Sequence, residues 1–373
     1  MVKRTPGPAP FPAAIHTGTV PASPPPPDAP GDAYDEALEA LAAFGPEFGG
    51  SGLSNHGPMA AEALVALGRP EAVAPWVAAY RRRLEPGPGP GRPLDSAEWE
   101  AALGHMERYA DWVVHFEAAL AEHGPAATVA RWVPRLAPGS IAAATHGLLR
   151  TAHAWRALGR QDRPGRRHEL AQGLAYWAAR YQELPGPPLL LGPFGAEEAV
   201  AALPALPEEA PAEPSISRQV AHLEMIAAPF EQAVAALGDP ADPSAALAQL
   251  ALAGTGALEA NAGRGVDIAL VHAVTAPMGL ELLLGALDAA DRPTVFAYGW
   301  QAVAALHATY ATERAVPAPG SAAPSPDEVV EAALASGDEH AIKLAEAALR
   351  TAAATGSSLP LTAAGAAVGR LRA

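Results

Sequence analysis

Ile141-Ala142-Ala143-Ala144-Thr145-His146-Gly147-Leu148-Leu149-Arg150-Thr151-Ala152-His153-Ala154-Trp155-Arg156-Ala157-Leu158 repeats its apolar residues at spacings of three and four, the period of a helix with one face turned to a core. The same period runs through Ala61 to Leu67, Trp99 to Leu120, His168 to Tyr181, Ser217 to Leu237, Pro243 to Leu252 and Val295 to Tyr310, and Asp267 to Leu287 is almost wholly apolar. β-Branched residues are sparse, and no hairpin dipeptide lies between two apolar runs. The chain is therefore expected to be all-α. No internal period of roughly 20 to 50 residues recurs. The two Pro-rich interruptions, Leu184 to Pro214 and Val316 to Pro326, do not separate different compositions and are expected to be long surface loops. One large helical domain is expected over residues 32–373. Ahead of it, residues 1–31 are of low complexity around Pro24 to Pro27 and are expected to form a disordered, Pro-rich arm.

A chain of 373 residues, 50% of them hydrophobic, has ample material for a core. Cysteine is absent, which excludes disulfide scaffolds, thiolate zinc sites, iron–sulfur clusters, thiolate haem and cysteine nucleophiles. The formal charge of −15 argues against nucleic acid and anionic membrane surfaces as partners. Pro6, Pro8, Pro10 and Pro12 stand where a secretory signal needs an apolar run, and the apolar stretch Ile268 to Leu287 carries His272, Pro277 and Glu281. A cytoplasmic chain with no membrane span is expected. Gly254-Thr255-Gly256 lacks the third glycine of a dinucleotide fingerprint and follows a helical pattern, and neither a Walker lysine nor a Gly-x-Ser-x-Gly elbow is present.

The chemistry-bearing residues are few. Of 25 basic residues, 23 are arginine, and the lysines are Lys3 and Lys343. A lysine kept in such a chain is a candidate for what arginine cannot do: lose its proton, form an imine or take up carbon dioxide. The plainer alternative is a surface charge. Of the 12 histidines, His16 lies in the arm, and His123 and His168 sit among charged or turn residues. His105, His115, His222 and His307 fall in amphipathic helices, where a core or surface role is the ordinary one. The remaining five, at four places in the chain, differ. His56 stands on the turn Ser54-Asn55-His56-Gly57-Pro58, which fixes its backbone. His146 and His153 share a helix face two turns apart, with Arg150 between them. His272 lies in the apolar helix, where it needs a partner or a metal. His340 and Lys343 share a face near a helix start, or else Lys343 pairs Glu339 or Glu346 in solvent.

Taken in order, Asn55-His56-Gly57-Pro58, Thr145-His146-Gly147-Leu148-Leu149-Arg150-Thr151-Ala152-His153, Val271-His272-Ala273-Val274-Thr275 and Asp338-Glu339-His340-Ala341-Ile342-Lys343 resemble the questin oxidase-like family, over roughly Asp32 to the C-terminus. The resemblance implies a helical oxygenase that opens an anthraquinone-type aromatic polyketide by a Baeyer–Villiger-like oxygen insertion. It also implies a non-haem iron held by four histidines and a carboxylated lysine, here His56, His146, His272, His340 and Lys343. His146 matches its motif better than His153, which would then line the pocket with Arg150; these two and Lys343 are the catalytic candidates. Tyr109, Trp112 and Trp155 are candidates to face a flat substrate. With no nucleotide fold in view, any reductant would be external and NADPH-derived. The other implied partners are the polyketide and O2, and an apolar helical surface allows a homodimer. Two other readings stand beside this one: a metal-dependent hydrolase or lyase on a related polyketide, and a metal-free helical binding protein.

Overall fold

Asp32 begins the fold as the N-cap of α1 (Ala33–Leu41), its Oδ1 accepting from the amides of Tyr34 and Asp35 at 3.0 and 3.2 Å. The computed structural model describes residues 32–50, 52–95, 98–313 and 323–371, and residues 32–373 make one compact unit. The expected N-terminal arm lies outside the described residues. A two-residue hairpin, β1 (Glu47–Phe48) with β2 (Leu53–Ser54), leads into α2 (Gly57–Ala66), followed by α3 (Val73–Tyr80), α4 (Tyr109–His123) and α5 (Pro125–Leu136). Then come α6 (His146–Arg160), α7 (Pro164–Ala179), α8 (Ala196–Ala201), α9 (Ile216–Ala221), α10 (Ala227–Val234), α11 (Pro243–Ala260) and α12 (Asp267–Leu284). The chain ends with α13 (Arg292–Tyr310), α14 (Pro326–Ser336), α15 (Glu339–Thr355) and α16 (Leu359–Val368). The fold is all-α.

Three of the expected helices are interrupted, each for a local reason. Trp99 to Leu120 is helical in full only from Tyr109, because Gly104 at φ 76° turns the chain out of the right-handed region and leaves two 3-10 turns before it. Ser217 to Leu237 divides at a 3-10 stretch, His222–Ile226; Pro229 has no amide to give the Met225 carbonyl, so no α-helix can run through that turn. Ile141 to Leu158 starts its α-helix only at His146, for a reason that belongs to the site. The loop over Leu184 to Pro214 carries the short α8, and Leu191 and Phe194 in it bridge to Gly238 and Leu237. The second expected loop lies mostly outside the described residues.

The largest apolar core joins α4, α6, α7 and α13, with Trp112, Trp177 and Trp300 fully buried. Each indole satisfies its N–H on a backbone carbonyl, Ala102, Gly139 and Val234 respectively, at 2.9–3.1 Å. Gly147 lets α6 lie against α7: a Cβ there would stand 2.5 Å from Trp177 Cα. Among the described residues, α12 is the one helix long and apolar enough to cross a membrane, and 83% of it is buried inside the protein.

Four helices, α2, α6, α15 and α12, close a ring in which α2 and α12 each pack against both α6 and α15. That ring positions the site.

Candidate metal centre

Each helix of the ring brings a histidine to one point. His56 is the N-cap residue of α2, His146 the first residue of α6, and His340 the second residue of α15; His272 lies in the first half of α12. Ring nitrogens of His56, His146 and His340 lie within 4.8 Å of one another. The His272 ring stands 4.5 Å from that of His146 and 5.9 Å from that of His340, centroid to centroid. Lys343 Nζ sits 3.2 Å from His56 Nδ1. Five residues spread over 287 positions of sequence thus share one buried place.

Local structure aims each of them. Asn55 pins the turn before His56, its Nδ2 donating to the Gly45 carbonyl at 2.9 Å and its Oδ1 accepting from the Gly57 amide at 2.9 Å. The His56 amide donates to Tyr80 Oη at 2.7 Å. Gly57 lets Leu41 pack close, since a Cβ there would stand 2.8 Å from Leu41 Cδ1 and make that side chain shift. Asp338 caps α15 by accepting from the His340 and Ala341 amides at 2.8 and 3.0 Å.

His146 depends on a left-handed turn. Ala143, Ala144 and Thr145 have φ of 48, 56 and 70°, three consecutive non-glycine residues in the region that side chains disfavour. The turn points the Ala143 carbonyl back at the His146 ring, where it accepts from Nδ1–H at 2.5 Å. A carbonyl can only accept, so the proton is held on Nδ1 and the lone pair falls on Nε2. Thr145 Oγ1, from the same turn, lies 3.3 Å from His272 Nδ1, so that Nδ1–H can donate there in the same way.

His146 Nε2 and His272 Nε2 are buried and have no hydrogen-bond partner among the described residues. An unmet buried nitrogen costs about 1–3 kcal/mol, so two of them on adjoining rings call for a ligand, although His272 stands outside the close trio of His56, His146 and His340. Burial, with Lys343 and the neighbouring rings adding to it, pushes the His56, His146 and His272 imidazoles well below their usual range. They are neutral, the form that binds a metal. Burial also brings the Lys343 ammonium down to about 8, against the smaller upward pull of Glu339 and Asp338. Glu339 itself pairs Arg83, and Glu346 pairs Arg156 and Arg350, so the solvated pairing allowed for Lys343 is replaced by burial at 1% exposure. His340 keeps 12% of its side chain exposed. The donor set, four imidazoles of which His146 and His272 meet an oxygen at Nδ1 from the turn before α6, fits a divalent transition metal.

The other candidates lie apart from this cluster. His153 turns to Glu62, Nδ1 to Oε2 at 2.6 Å. Arg150 is clamped by Glu169 at 2.6 and 2.9 Å and by Gln172 at 2.9 Å. Tyr109 donates to Gln172 at 3.1 Å, and Trp112 stacks on Phe116 in the core with no exposed surface, while Trp155 packs partly buried against the same core. These aromatic positions follow the helical period because they build the core. Sequence reasoning missed Glu62, fully buried and the acceptor for His153, Arg156 and Arg160. Its signal was a single charge inside the apolar run Ala60 to Leu67. It also missed Thr145. The chain matches no protein-family model and no curated protein.

Proposed function

We propose that this chain is a non-haem iron oxygenase of the questin oxidase-like type, which opens a ring of an aromatic, anthraquinone-type polyketide. The observation that carries the metal centre is the pair of buried, unpartnered nitrogens, His146 Nε2 and His272 Nε2, beside His56, His340 and Lys343. Reaction and substrate class rest on the resemblance of the four ordered motifs that supply those residues.

His56, His146, His272, His340 and Lys343 would hold the ion. A bound iron supplies Lewis acidity and one-electron chemistry toward O2. The chain's own contribution is to keep the imidazoles neutral and correctly protonated: the Ala143 carbonyl holds the proton on His146 Nδ1, and Thr145 stands ready to do so for His272. Lys343 reaches the neutral amine near pH 8 and can then take up carbon dioxide, releasing a proton and leaving a carbamate whose oxygens are donors. This gives four neutral ligands one compensating anion without a carboxylate side chain. In the overall reaction one oxygen atom enters between a carbonyl carbon and its ring neighbour, the other leaves as water, and addition of one water across the resulting ester opens the ring to an acid and a phenol. Two electrons and two protons come from an external, NADPH-derived donor.

Metal analysis of the purified protein tests this, with wild type beside Lys343→Arg and His272→Ala. Near-stoichiometric iron in wild type, lost in both variants, is expected. Zinc in its place overturns the oxygenase in favour of a hydrolase or lyase. No metal after anaerobic addition of ferrous iron leaves a helical binding protein.

A further inference from the structure

Away from the histidines, the same four helices are tied together a second time, by charge. Glu62 of α2 accepts from three groups of α6: His153 Nδ1 at 2.6 Å, Arg156 Nε and Nη2 at 2.9 and 2.5 Å, and Arg160 Nη1 at 2.6 Å. Arg156 also donates to Glu346 of α15. One helical turn on, Arg350 of α15 faces Glu346 at 3.5 Å and donates to Glu281 of α12 at 2.5 Å. The chain of ion pairs therefore visits each helix that carries a ligand. On every one the ligand comes first: His56 before Glu62, His146 before Arg156, His340 before Glu346, His272 before Glu281. At about 1.5 Å per residue the network stands some 9–15 Å along each helix from the cluster.

We infer that Glu62, with Arg156, Glu346, Arg350 and Glu281, forms a positioning frame that sets the spacing of the four ligand-bearing helices before the metal arrives. Glu62 has no exposed surface and Glu346 has 7% of its side chain exposed, so these pairs have fixed partners and little screening. Bidentate guanidinium–carboxylate pairs fix distance and rotation together. Ligand atoms need placement to about 0.5 Å, and apolar contacts between helices tolerate slips of that size. Glu62 touches no ligand, so it acts through the helices.

This inference rests on the metal reading, and the test separates the two. Metal-free wild type, Glu62→Gln and Asp35→Asn would be titrated anaerobically with ferrous iron against a chelator, and with cobalt(II) followed by its visible spectrum. Asp35→Asn breaks a comparable pair, Arg166 with Asp35, between α7 and α1, which carry no ligand. The expected result is about tenfold weaker metal binding and an altered cobalt spectrum in Glu62→Gln, with Asp35→Asn within twofold of wild type and its spectrum unchanged. Wild-type affinity and spectrum in Glu62→Gln overturn the frame alone, as does equal weakening in Asp35→Asn. Absence of metal binding by wild type overturns the centre and the frame with it. Should Glu62→Gln not fold, Glu281→Gln at the exposed end of the chain decides: about threefold weaker binding supports the frame, and unchanged binding overturns it.

Discussion

The ring of α2, α6, α15 and α12 holds two buried polar regions of opposite kind. At the histidine cluster the imidazoles of His56, His146 and His272 are held in the neutral form and two of their nitrogens have no partner; at Glu62 a carboxylate is met by His153, Arg156 and Arg160. The Glu62 carboxyl is held far below its usual range, although burial alone would raise it, because His153 and Arg156 act on it together. Nothing comparable offsets burial at the histidines, which are pushed down. A region satisfied from within belongs to the scaffold, and a region left unsatisfied is made to be completed from outside.

Acid should separate the two regions, and this is the largest effect expected. The folded imidazoles of His56, His146 and His272 lie well below 6.5, the value they take when unfolded. Below pH 6.5 the unfolded chain therefore takes up protons that the folded chain refuses, and stability falls as pH drops. Each such group contributes about 1.4 kcal/mol per pH unit, so three give up to about 4 kcal/mol per unit in the metal-free protein. Glu62 behaves differently: its contribution is complete above its unfolded value of 4.5 and is lost only as pH falls below that. Urea unfolding from pH 7 to 4 should show a steep loss that begins near 6.5. His272→Leu should flatten it by about one proton, while Glu62→Gln, which removes the carboxylate that holds His153 up, should not flatten it. A flat profile between 6.5 and 5 would contradict the neutral cluster.

Opposite signs are expected when each region is made apolar. Glu62→Leu takes the carboxylate from buried His153 and from half-buried Arg156, which keeps Glu346, and should cost about 3 kcal/mol in chemical denaturation. His272→Leu removes an unmet nitrogen from an apolar helix and should raise metal-free stability by about 1 kcal/mol, while abolishing metal binding. A destabilised His272→Leu would mean that the imidazole is already satisfied.

The sequence carried this contrast unevenly. The candidate ligands stood out because their types are scarce: one lysine outside the arm, and a histidine in an otherwise apolar α12. The helices were legible from their period. Glu62 was not, because a glutamate in a helix is ordinary until its burial and its three partners from α6 are known. Tyr109 and Trp112 misled in the opposite direction, since an aromatic residue on a helix face looks the same from sequence whether it faces a ligand or Phe116. The turn before α6 could not be read at all. Ala143 and Ala144 are strong helix formers by type, yet both are left-handed, held so by the surrounding structure.

That turn gives the smallest effect and the finest test of how the histidine region is held. A non-glycine residue in the left-handed region costs roughly 1 kcal/mol relative to glycine, and Ala143 is only partly buried, so Ala143→Gly loses little packing. The substitution should therefore stabilise the metal-free fold by about 0.5–1 kcal/mol. It keeps the carbonyl that accepts from His146 Nδ1, yet gives that carbonyl more freedom to swing away. Metal affinity should then fall about two- to threefold while stability rises. If both rise together, the strain at 143 to 145 is incidental to the site; if they part, the strain is what holds the His146 lone pair on the cluster.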